Sequence, residues 1–471
     1  MSNRLLARTI VSALLALPLF ADVVWNTAQI TTPPSAGVNI DVIVAAGPSA
    51  DNVVAVWSDS STYAPYYSIY TDGAWSTGAI PLGSSSGVFD NVYVTAGPSA
   101  GQLIAAWRDY NTEDIYFSLY SAGSWTTGQI PLGASTGASL DVTLSPGPNA
   151  GQVTALWINA DDDHPFFSIF AGGIWSDGDI LSTVQAFNNV FVTPGPTSGT
   201  LIATWNNFGP AYYSLYSGGS WGAAATIPLG GSAGVSWDII TTTNPTNGQV
   251  AAVWSDGLSA VIYYSFYSGG VWTPGAAIPM GSILGCYENP YIAAEVTGEL
   301  VVTWNTQMTR VPSFSIFQNG VWSTGAEIPL PPSASVGALQ DVSVACVVGS
   351  NTMLAAWGDN STHLPYYSTF IGTPLPPTTP FPPTNGQGSH VKNRFALLTE
   401  WYNELNWVAS TSPNVTGYNI RRNGVLIATN VPGTSYQDQN RPRNGTDVYS
   451  ITSLNSEGAE SLTALEITVT P

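Results

Sequence analysis

Short runs of apolar and aromatic residues alternate along most of the chain with clusters of glycine, proline and serine. One stretch shows the pattern: DNVYVT (90–95), LIAAW (103–107), YFSLY (116–120) and WTTGQ (125–129) are separated by polar or glycine-containing segments. Short β-rich runs that are bounded by turn residues predict strands. The stretch therefore predicts four consecutive antiparallel strands.

This four-strand unit recurs about every 50 residues and is marked by two registers of tryptophan. The first register ends the second run of each unit, and the second register opens the fourth run. The first register is Trp57, Trp107, Trp157, Trp205, Trp254, Trp304 and Trp357; the second is Trp25, Trp75, Trp125, Trp175, Trp221, Trp272 and Trp322. Such a period is typical of repeat architectures. It predicts an all-β fold, a seven-bladed β-propeller over residues 22–371.

The two ends of this region predict how the ring closes. The last unit stops after its third run, at residues 366–370, while Trp25 belongs to a fourth run that no first three precede. We therefore expect residues 23–30 to complete the last blade, which removes an unpaired strand edge.

The turn before each second-register tryptophan resembles a degenerate Asp-box, the Ser-x-Asp-x-Gly-x-Thr-Trp turn of sialidase-type propellers. In the segment 118–125 the first Ser and the final Trp match, Tyr120 stands at the Asp position, and Gly123 falls one place late. The resemblance implies the propeller fold. It does not extend to sialidase activity, because sialidases hold the substrate carboxylate with three arginines and residues 22–371 contain two, Arg108 and Arg310.

The C-terminal part differs in composition from the repeats. Residues 372–380 are predicted to form a proline-rich linker. Residues 381–471 resemble a fibronectin type III domain through Trp407, Tyr418, Tyr436, Tyr449 and the closing NSEGAES. The resemblance implies a seven-stranded β-sandwich that serves as a spacer or an adhesive module.

The N-terminal 21 residues carry two arginines and then an apolar run from Ile10 to Phe20. This is the pattern of a secretory signal peptide, too short to span a bilayer, so we expect an exported protein, secreted or at the cell surface, without a transmembrane segment. Residues 22–371 hold 23 acidic residues and two basic ones. A surface this acidic repels phosphate backbones and argues against nucleic acid as a partner.

Most tryptophans are predicted to be core residues. An alanine two places before six of the first-register tryptophans favours close approach of neighbouring blades. Aromatic residues outside the registers, in loops of one face, are better candidates for stacking on a sugar: Tyr63, Tyr110, Phe208 and Trp237. The two cysteines, Cys286 and Cys346, lie ten positions apart in register, so we expect unpaired, buried thiols.

Polar side chains recur at two fixed offsets from the first-register tryptophans. Sixteen residues before them stand Asp41, Asn91, Asp141, Asn189, Asp238, Glu288 and Asp341. Two residues after them stand Asp59, Asp109, Asn159, Asn207, Asp256, Thr306 and Asp359. Both offsets fall at strand ends beside the channel mouth, and two concentric acidic rings are predicted there. Such groups either fasten backbone N–H groups or bind sugar hydroxyls or a cation such as Ca²⁺; both interpretations stay open.

No cofactor motif accompanies these rings. Asp161, Asp163 and His164 form a weak metal candidate in the third unit, without fixed ligand spacing. Asn360, Asn414 and Asn444 head N-x-S/T sequons. The sequence thus favours an exported, monomeric, non-enzymatic binding or adhesion protein whose propeller face engages a glycan or a partner protein. A polysaccharide-active enzyme with a carboxylate pair, a glycoside hydrolase or lyase, and a purely structural surface protein remain alternatives.

Overall fold

The computed structural model describes residues 25–32, 37–49, 51–283, 285–331, 337–347, 352–371, 380, 382–395, 398–410, 415–455, 460–461 and 464–471. The chain divides into two compact units, Asp22–Gly372 and a second unit that contains Thr373–Pro471. The predicted signal peptide, nearly all of the predicted linker and Asn414 lie outside the described residues. The described residues contain strands and turns, and none of their segments is a helix that could cross a membrane.

The first unit is built from short antiparallel strands, as the sequence pattern predicts. Its first strands are β1 (Trp25–Gln29), β2 (Ile43–Ala46), β3 (Val53–Ser58), β4 (Pro65–Thr71), β5 (Ala74–Ala79), β6 (Tyr93–Ala96), β7 (Leu103–Arg108), β8 (Ile115–Ser121), β9 (Ser124–Gln129), β10 (Thr143–Pro146), β11 (Val153–Ile158), β12 (Pro165–Ala171), β13 (Ile174–Trp175) and β14 (Asp179–Ile180). Next come β15 (Phe191–Pro194), β16 (Leu201–Asn206), β17 (Ala211–Ser217), β18 (Ser220–Trp221), β19 (Ala225–Thr226), β20 (Ile240–Thr243), β21 (Val250–Ser255), β22 (Ile262–Ser268), β23 (Val271–Trp272) and β24 (Ala276–Ala277). The last are β25 (Tyr291–Ala294), β26 (Leu300–Asn305), β27 (Pro312–Gln318), β28 (Val321–Trp322), β29 (Ala326–Glu327), β30 (Ser343–Cys346), β31 (Thr352–Gly358) and β32 (Pro365–Ile371).

These strands form seven antiparallel sheets among the described residues, one for each repeat. Sheets 1 to 6 are β2–β5, β6–β9, β10–β14, β15–β19, β20–β24 and β25–β29, and sheet 7 is β30–β32 with β1. In sheets 3 to 6 the fourth strand is divided into two short pieces that both pair with the third strand. In sheet 3 the Ser176 hydroxyl accepts the Ile169 N–H at 3.0 Å, which replaces a ladder bond at the interruption.

The first strand of the chain completes the last sheet. β1 pairs with β32 in antiparallel register, from Trp25 opposite Phe370 to Gln29 opposite Tyr366. The first strands of successive sheets contact one another in order around a circle, and β30 of sheet 7 contacts β2 of sheet 1. A closed circle of antiparallel sheets about a central axis is the architecture of a β-propeller. The predicted strand closure is therefore present.

Tryptophans of the first register fill the core, as predicted. All seven are almost completely buried, and Trp57 stacks on Tyr66 of the neighbouring strand with ring centroids 6.1 Å apart. The alanines two places before six of them, such as Ala105, are also buried. Small side chains at these positions let adjacent sheets approach.

Tryptophans of the second register join neighbouring sheets. Each ring lies 5.1–5.8 Å from an aromatic ring on the third strand of the preceding sheet. The seven pairs, in order around the circle, are Tyr67–Trp125, Phe117–Trp175, Phe167–Trp221, Tyr213–Trp272, Tyr264–Trp322, Phe314–Trp25 and Tyr367–Trp75. Inclined pairs of this kind contribute about 0.5–1.5 kcal/mol each beyond the area they bury. The same contact thus holds every sheet to the next.

The two cysteines are unpaired, as predicted. Cys286 is buried, whereas Cys346 is partly exposed, so the expectation of burial holds for the first thiol alone.

The residues that the structure describes in the second unit form two antiparallel sheets. Its strands are β33 (Thr384–Phe395), β34 (Leu398–Val408), β35 (Val415–Arg422), β36 (Val425–Val431), β37 (Ser435–Asp438), β38 (Asp447–Asn455) and β39 (Leu465–Val469). One sheet has the order β33-β34-β37 and the other β36-β35-β38-β39. Trp407, Tyr418 and Tyr449 lie in the core between them, and the Tyr449 hydroxyl donates to Asp438 at 2.6 Å.

Candidate functional site

The first predicted ring is a closed hydrogen-bonded circle at the start of the innermost strands. In every sheet the backbone N–H of the ring residue donates to the side-chain oxygen of the ring residue in the next sheet. The donors, acceptors and distances are Asp41 to Asn91 (3.2 Å), Asn91 to Asp141 (3.0 Å), Asp141 to Asn189 (3.2 Å), Asn189 to Asp238 (2.9 Å), Asp238 to Asn289 (2.9 Å), Asn289 to Asp341 (3.0 Å) and Asp341 to Asp41 (2.8 Å). These side chains thus fasten one sheet to the next, which is the structural interpretation of the ring.

One predicted member of the ring is displaced by one position. Asn289, not Glu288, makes the hydrogen bonds of sheet 6. The cause is a shorter turn between the first two strands: Ala294 pairs with Leu300, whereas in sheet 1 Ala46 pairs with Val53. Counting a fixed sixteen residues back from Trp304 therefore lands on the wrong residue.

Carboxyl and amide side chains alternate around the circle. The Nδ2 groups of Asn91, Asn189 and Asn289 donate to the carboxylates of the next sheets at 3.0–3.2 Å. Because seven is odd, alternation fails once, between Asp341 and Asp41, where the chain closes. Burial raises the pKa of Asp41 well above its ordinary value, and the charge of Asp341 raises it further. Where Asp341 and Asp41 meet, a carboxyl is therefore protonated more readily than a carboxyl at the surface.

Because the pKa values of ring carboxyls are raised in the folded protein, we expect the protein to be more stable in mild acid than in mild base. Burial raises the pKa of Asp238 to about 7 and raises that of Asp141. A carboxyl whose pKa is higher in the folded state stabilises the fold at low pH, and this contribution is lost as the pH rises through the raised pKa. We expect the Tm to fall by several degrees between pH 5 and pH 8 in differential scanning calorimetry. A Tm that is flat or rises over this interval would contradict this electrostatic account.

The second predicted ring fastens loops. Asp109 Oδ1 accepts the backbone N–H groups of Asn111 and Thr112, both at 2.9 Å, and Oδ2 accepts the hydroxyl of Ser85 at 2.7 Å. The equivalent side chains Asp59, Asn159, Asp256 and Asp359 are bonded to the same kinds of loop groups, and Thr306 bonds Thr309 and Val311. These bonds hold the pKa of Asp59, Asp256 and Asp359 below the ordinary value, against the effect of burial. Asn207 is the exception, because it makes no hydrogen bond through its side chain to a described residue.

Aromatic side chains close the axis behind the first ring. The hydroxyls of Tyr93 in sheet 2 and Tyr291 in sheet 6 lie 3.4 Å apart, and the Tyr93 ring lies 6.0 Å from that of Phe191 in sheet 4. All three side chains are buried. These side chains therefore fill the centre of the propeller behind the first ring.

Two half-buried carboxyl groups stand beside the ring. Asp90 and Glu288 each directly precede a ring residue, and burial raises the pKa of each to about 7. The charge of Asp141 raises the pKa of Asp90 further, and that of Asp41 does so for Glu288. Both carboxyls can therefore change protonation state near neutral pH.

Both arginines of the first unit are held beside these acids. The Arg108 guanidinium lies 3.8 Å from the centre of the Phe89 ring and bonds Glu113 at 2.9 Å. The Arg310 guanidinium lies over the ring of Tyr287 and donates to the Leu339 carbonyl at 2.7 Å. Their positive charge is thus already engaged within the fold.

The loops of the ring face expose aromatic side chains. Tyr110, Phe208 and Trp237, predicted from the sequence as stacking candidates, are 45%, 74% and 44% exposed. Tyr63 stacks on Tyr110 with centroids 4.8 Å apart. Phe187, which was not predicted from the sequence, is also exposed. Its ring centroid lies 4.1 Å from that of Phe208. This face therefore presents apolar ring surfaces to solvent beside amide groups.

The weak metal candidate does not assemble as a ligand set. His164 Nδ1 lies 3.0 Å from Asp162, while Asp161 and Asp163 are exposed. Among the described residues, no group of three or more histidine, cysteine or acidic side chains is placed to hold a metal ion.

No protein-family model matches the chain, and no curated protein matches it. Among solved structures, a fucose-specific lectin from Aleuria aurantia is similar at 15% identity and a TM-score of 0.43, over 64% of this chain and 100% of the lectin. Polysaccharide lyase Uly1 is similar at 11% identity and a TM-score of 0.44, over 69% and 90% of the two chains. The NanB sialidase of Streptococcus pneumoniae is similar at 12% identity and a TM-score of 0.41, over 74% and 71%. These are similarities of fold alone.

Proposed function

We propose that this chain is an exported, non-enzymatic binding protein whose seven-bladed β-propeller, residues 22–371, engages a glycan through the ring face. Residues 1–21 act as its signal peptide. Residues 381–471 form a fibronectin type III-like domain that spaces or anchors the propeller. The two sheets and seven strands described for the second unit, with their gaps, support that assignment.

One observation carries the glycan proposal: exposed aromatic rings and amide side chains share the ring face, while the carboxylates of both rings are used by the fold. Trp237 and Phe208 offer flat apolar surfaces, and Asn207 is half-buried with an amide that bonds no described residue. Sugar rings combine an apolar C–H face with hydroxyls that both donate and accept. Aromatic rings with adjacent amides complement those two features.

The direct test is binding of the purified full-length chain to an array of neutral and acidic oligosaccharides. We expect saturable binding to at least one saccharide, with displacement by the same saccharide free in solution. If the folded protein retains no saccharide on the array, the glycan proposal is wrong.

A polysaccharide-active enzyme is the second candidate, and the half-buried acids favour it. A carboxyl with a pKa near 7 is suited to act as a general acid in glycosidic cleavage, and Asp90 and Glu288 both meet this condition. This candidate predicts new reducing or unsaturated ends when polysaccharides are incubated with the protein. It also predicts that Asp90→Asn or Glu288→Gln abolishes them while binding persists.

A further inference from the structure

Sheet 4 differs from the other sheets at the ring face. Its second and third strands, which end at Asn206 and begin at Ala211, are joined by four residues, 207–210, whereas the equivalent loop of sheet 1 has six, 59–64. The loop of sheet 4 is thus two residues shorter. The residues it lacks correspond to positions whose backbone N–H groups donate to Asp59 in sheet 1. The shorter loop leaves Asn207 without the partners that the equivalent Asp59 has in sheet 1. We name this region the sheet 4 notch; it is formed by Phe187, Asn188, Asn206, Asn207, Phe208 and Trp237.

Two hydrogen bonds place the three aromatic residues of the notch on adjacent segments. The Phe187 N–H donates to the Asn206 carbonyl at 2.9 Å, and the Asn206 amide donates to the carbonyl of Trp237 in sheet 5. The rings of Phe187 and Phe208 lie 4.1 Å apart. All three aromatic side chains are nevertheless exposed to solvent. Large apolar groups that gather at the surface mark binding sites more often than scattered ones do.

Two buried amide atoms in the notch have no hydrogen-bond partner among the described residues. Asn188 is 9% exposed and its Nδ2 is unpaired, and Asn206 is 1% exposed with an unpaired Oδ1. An unsatisfied buried polar group costs about 1–3 kcal/mol, so natural structures hold few of them. Both atoms are also shut off from solvent, so a ligand at this surface meets the neighbouring amide of Asn207, which is half-buried and bonds no described residue. A ligand with neighbouring hydroxyls would satisfy the donor and the acceptor of that amide.

The charges around the notch favour a neutral ligand. The two arginines of the first unit stand in sheets 2 and 6 and are engaged by Glu113 and by the Leu339 carbonyl, so none of them serves the notch. Asp238, which follows Trp237 in the chain, adds acidic character. A carboxylate or sulfate on the ligand would find no counter-charge here.

We propose that the sheet 4 notch binds one neutral pyranose unit of a glycan, with the C–H face of the sugar against Trp237 and its hydroxyls on the amide of Asn207. This inference rests on the proposed function and assigns it a subsite and a class of sugar. An acidic saccharide is excluded by the same charges.

The test uses the full-length chain and a glycan array that carries neutral hexose-terminated and sialylated or uronate-terminated oligosaccharides, followed by calorimetric titration with the free neutral saccharide that binds best. We expect binding to neutral saccharides. Trp237→Ala and Asn207→Ala should each weaken it at least tenfold. Because the Asn207 amide bonds no described residue, Asn207→Ala should leave the Tm nearly unchanged, which separates a binding role from a structural one.

The matched control is Met308→Ala, which removes an exposed apolar side chain of the same face in sheet 6 and should leave the affinity unchanged. If the protein binds acidic saccharides instead, or if Met308→Ala weakens binding while Trp237→Ala does not, the notch is wrong and the wider glycan proposal stands. If the folded wild-type chain binds no saccharide, both fall.

Discussion

Asp238→Ala is expected to destabilise the propeller by about 2–6 kcal/mol at pH 5, because the two donors of the half-buried Asn189 lose their acceptor at about 1–3 kcal/mol each. Asp238 Oδ1 accepts the Asn189 backbone N–H at 2.9 Å, and Oδ2 accepts its Nδ2 at 3.2 Å. The loss should be smaller at pH 8. There the wild-type carboxyl, with its pKa raised to about 7, is ionised in a buried site and contributes less stability.

Urea unfolding at both pH values measures this effect. The control is Asp177→Ala, which removes an exposed acid and should change stability by less than about 0.5 kcal/mol, as surface substitutions usually do. Equal stability of the two variants would mean that the ring does not hold the sheets together.

Trp25→Ala is expected to lower the free energy of unfolding by about 3–5 kcal/mol, as is usual when a buried tryptophan is replaced by alanine. The Trp25 ring is 6% exposed and lies 5.1 Å from Phe314 of sheet 6 and 5.4 Å from Phe370 of its own sheet. Loosening this strand also bares the edge of β32, and unpaired edges promote aggregation.

The matched control for Trp25→Ala is Trp237→Ala, since Trp237 is 44% exposed and its loss should cost less than about 1 kcal/mol. Thermal unfolding and light scattering record both effects. A Trp25→Ala protein as stable and as soluble as Trp237→Ala would argue that the N-terminal strand is dispensable.

The parts of the fold that depend on the repeat were predictable from the sequence. A core position is copied into each unit, so the buried Trp107 and the small Ala105 beside it follow from spacing alone. The pairing of Trp25 with Phe370 follows from counting strands. The last repeat has three strands, and the strand that contains Trp25 stands alone before the first repeat.

The parts that depart from the repeat were harder to predict. Asn289 was missed because fixed counting ignores a turn shortened by one residue, although EVTGE (295–299) is visibly shorter than GPSAGQ (97–102) in the printed sequence. The same kind of signal, the short loop 207–210, marks the sheet 4 notch.

Spacing also could not tell whether an aspartate faces a ligand or a backbone N–H. Asp141 and Asp109 look equivalent to surface acids in a sequence, yet they are buried and accept hydrogen bonds from neighbouring segments. The choice between the two interpretations of the rings depends on contacts between distant residues. The repeat pattern does not encode those contacts.

The most direct measurement is a cross-link between the first and last strands of the propeller in a Thr27→Cys/Ser368→Cys protein. These residues are paired in register and their hydroxyls lie 2.8 Å apart, within reach of a disulfide. Mild oxidation should join them in the folded chain, as shown by mass spectrometry of the linked peptides, and should raise the Tm. Ser265 occupies the same register position in sheet 5 as Ser368 in sheet 7, so Thr27→Cys/Ser265→Cys should form no such link. Failure of the first pair to join, or equal joining of both pairs, would contradict closure of the ring by the N-terminal strand.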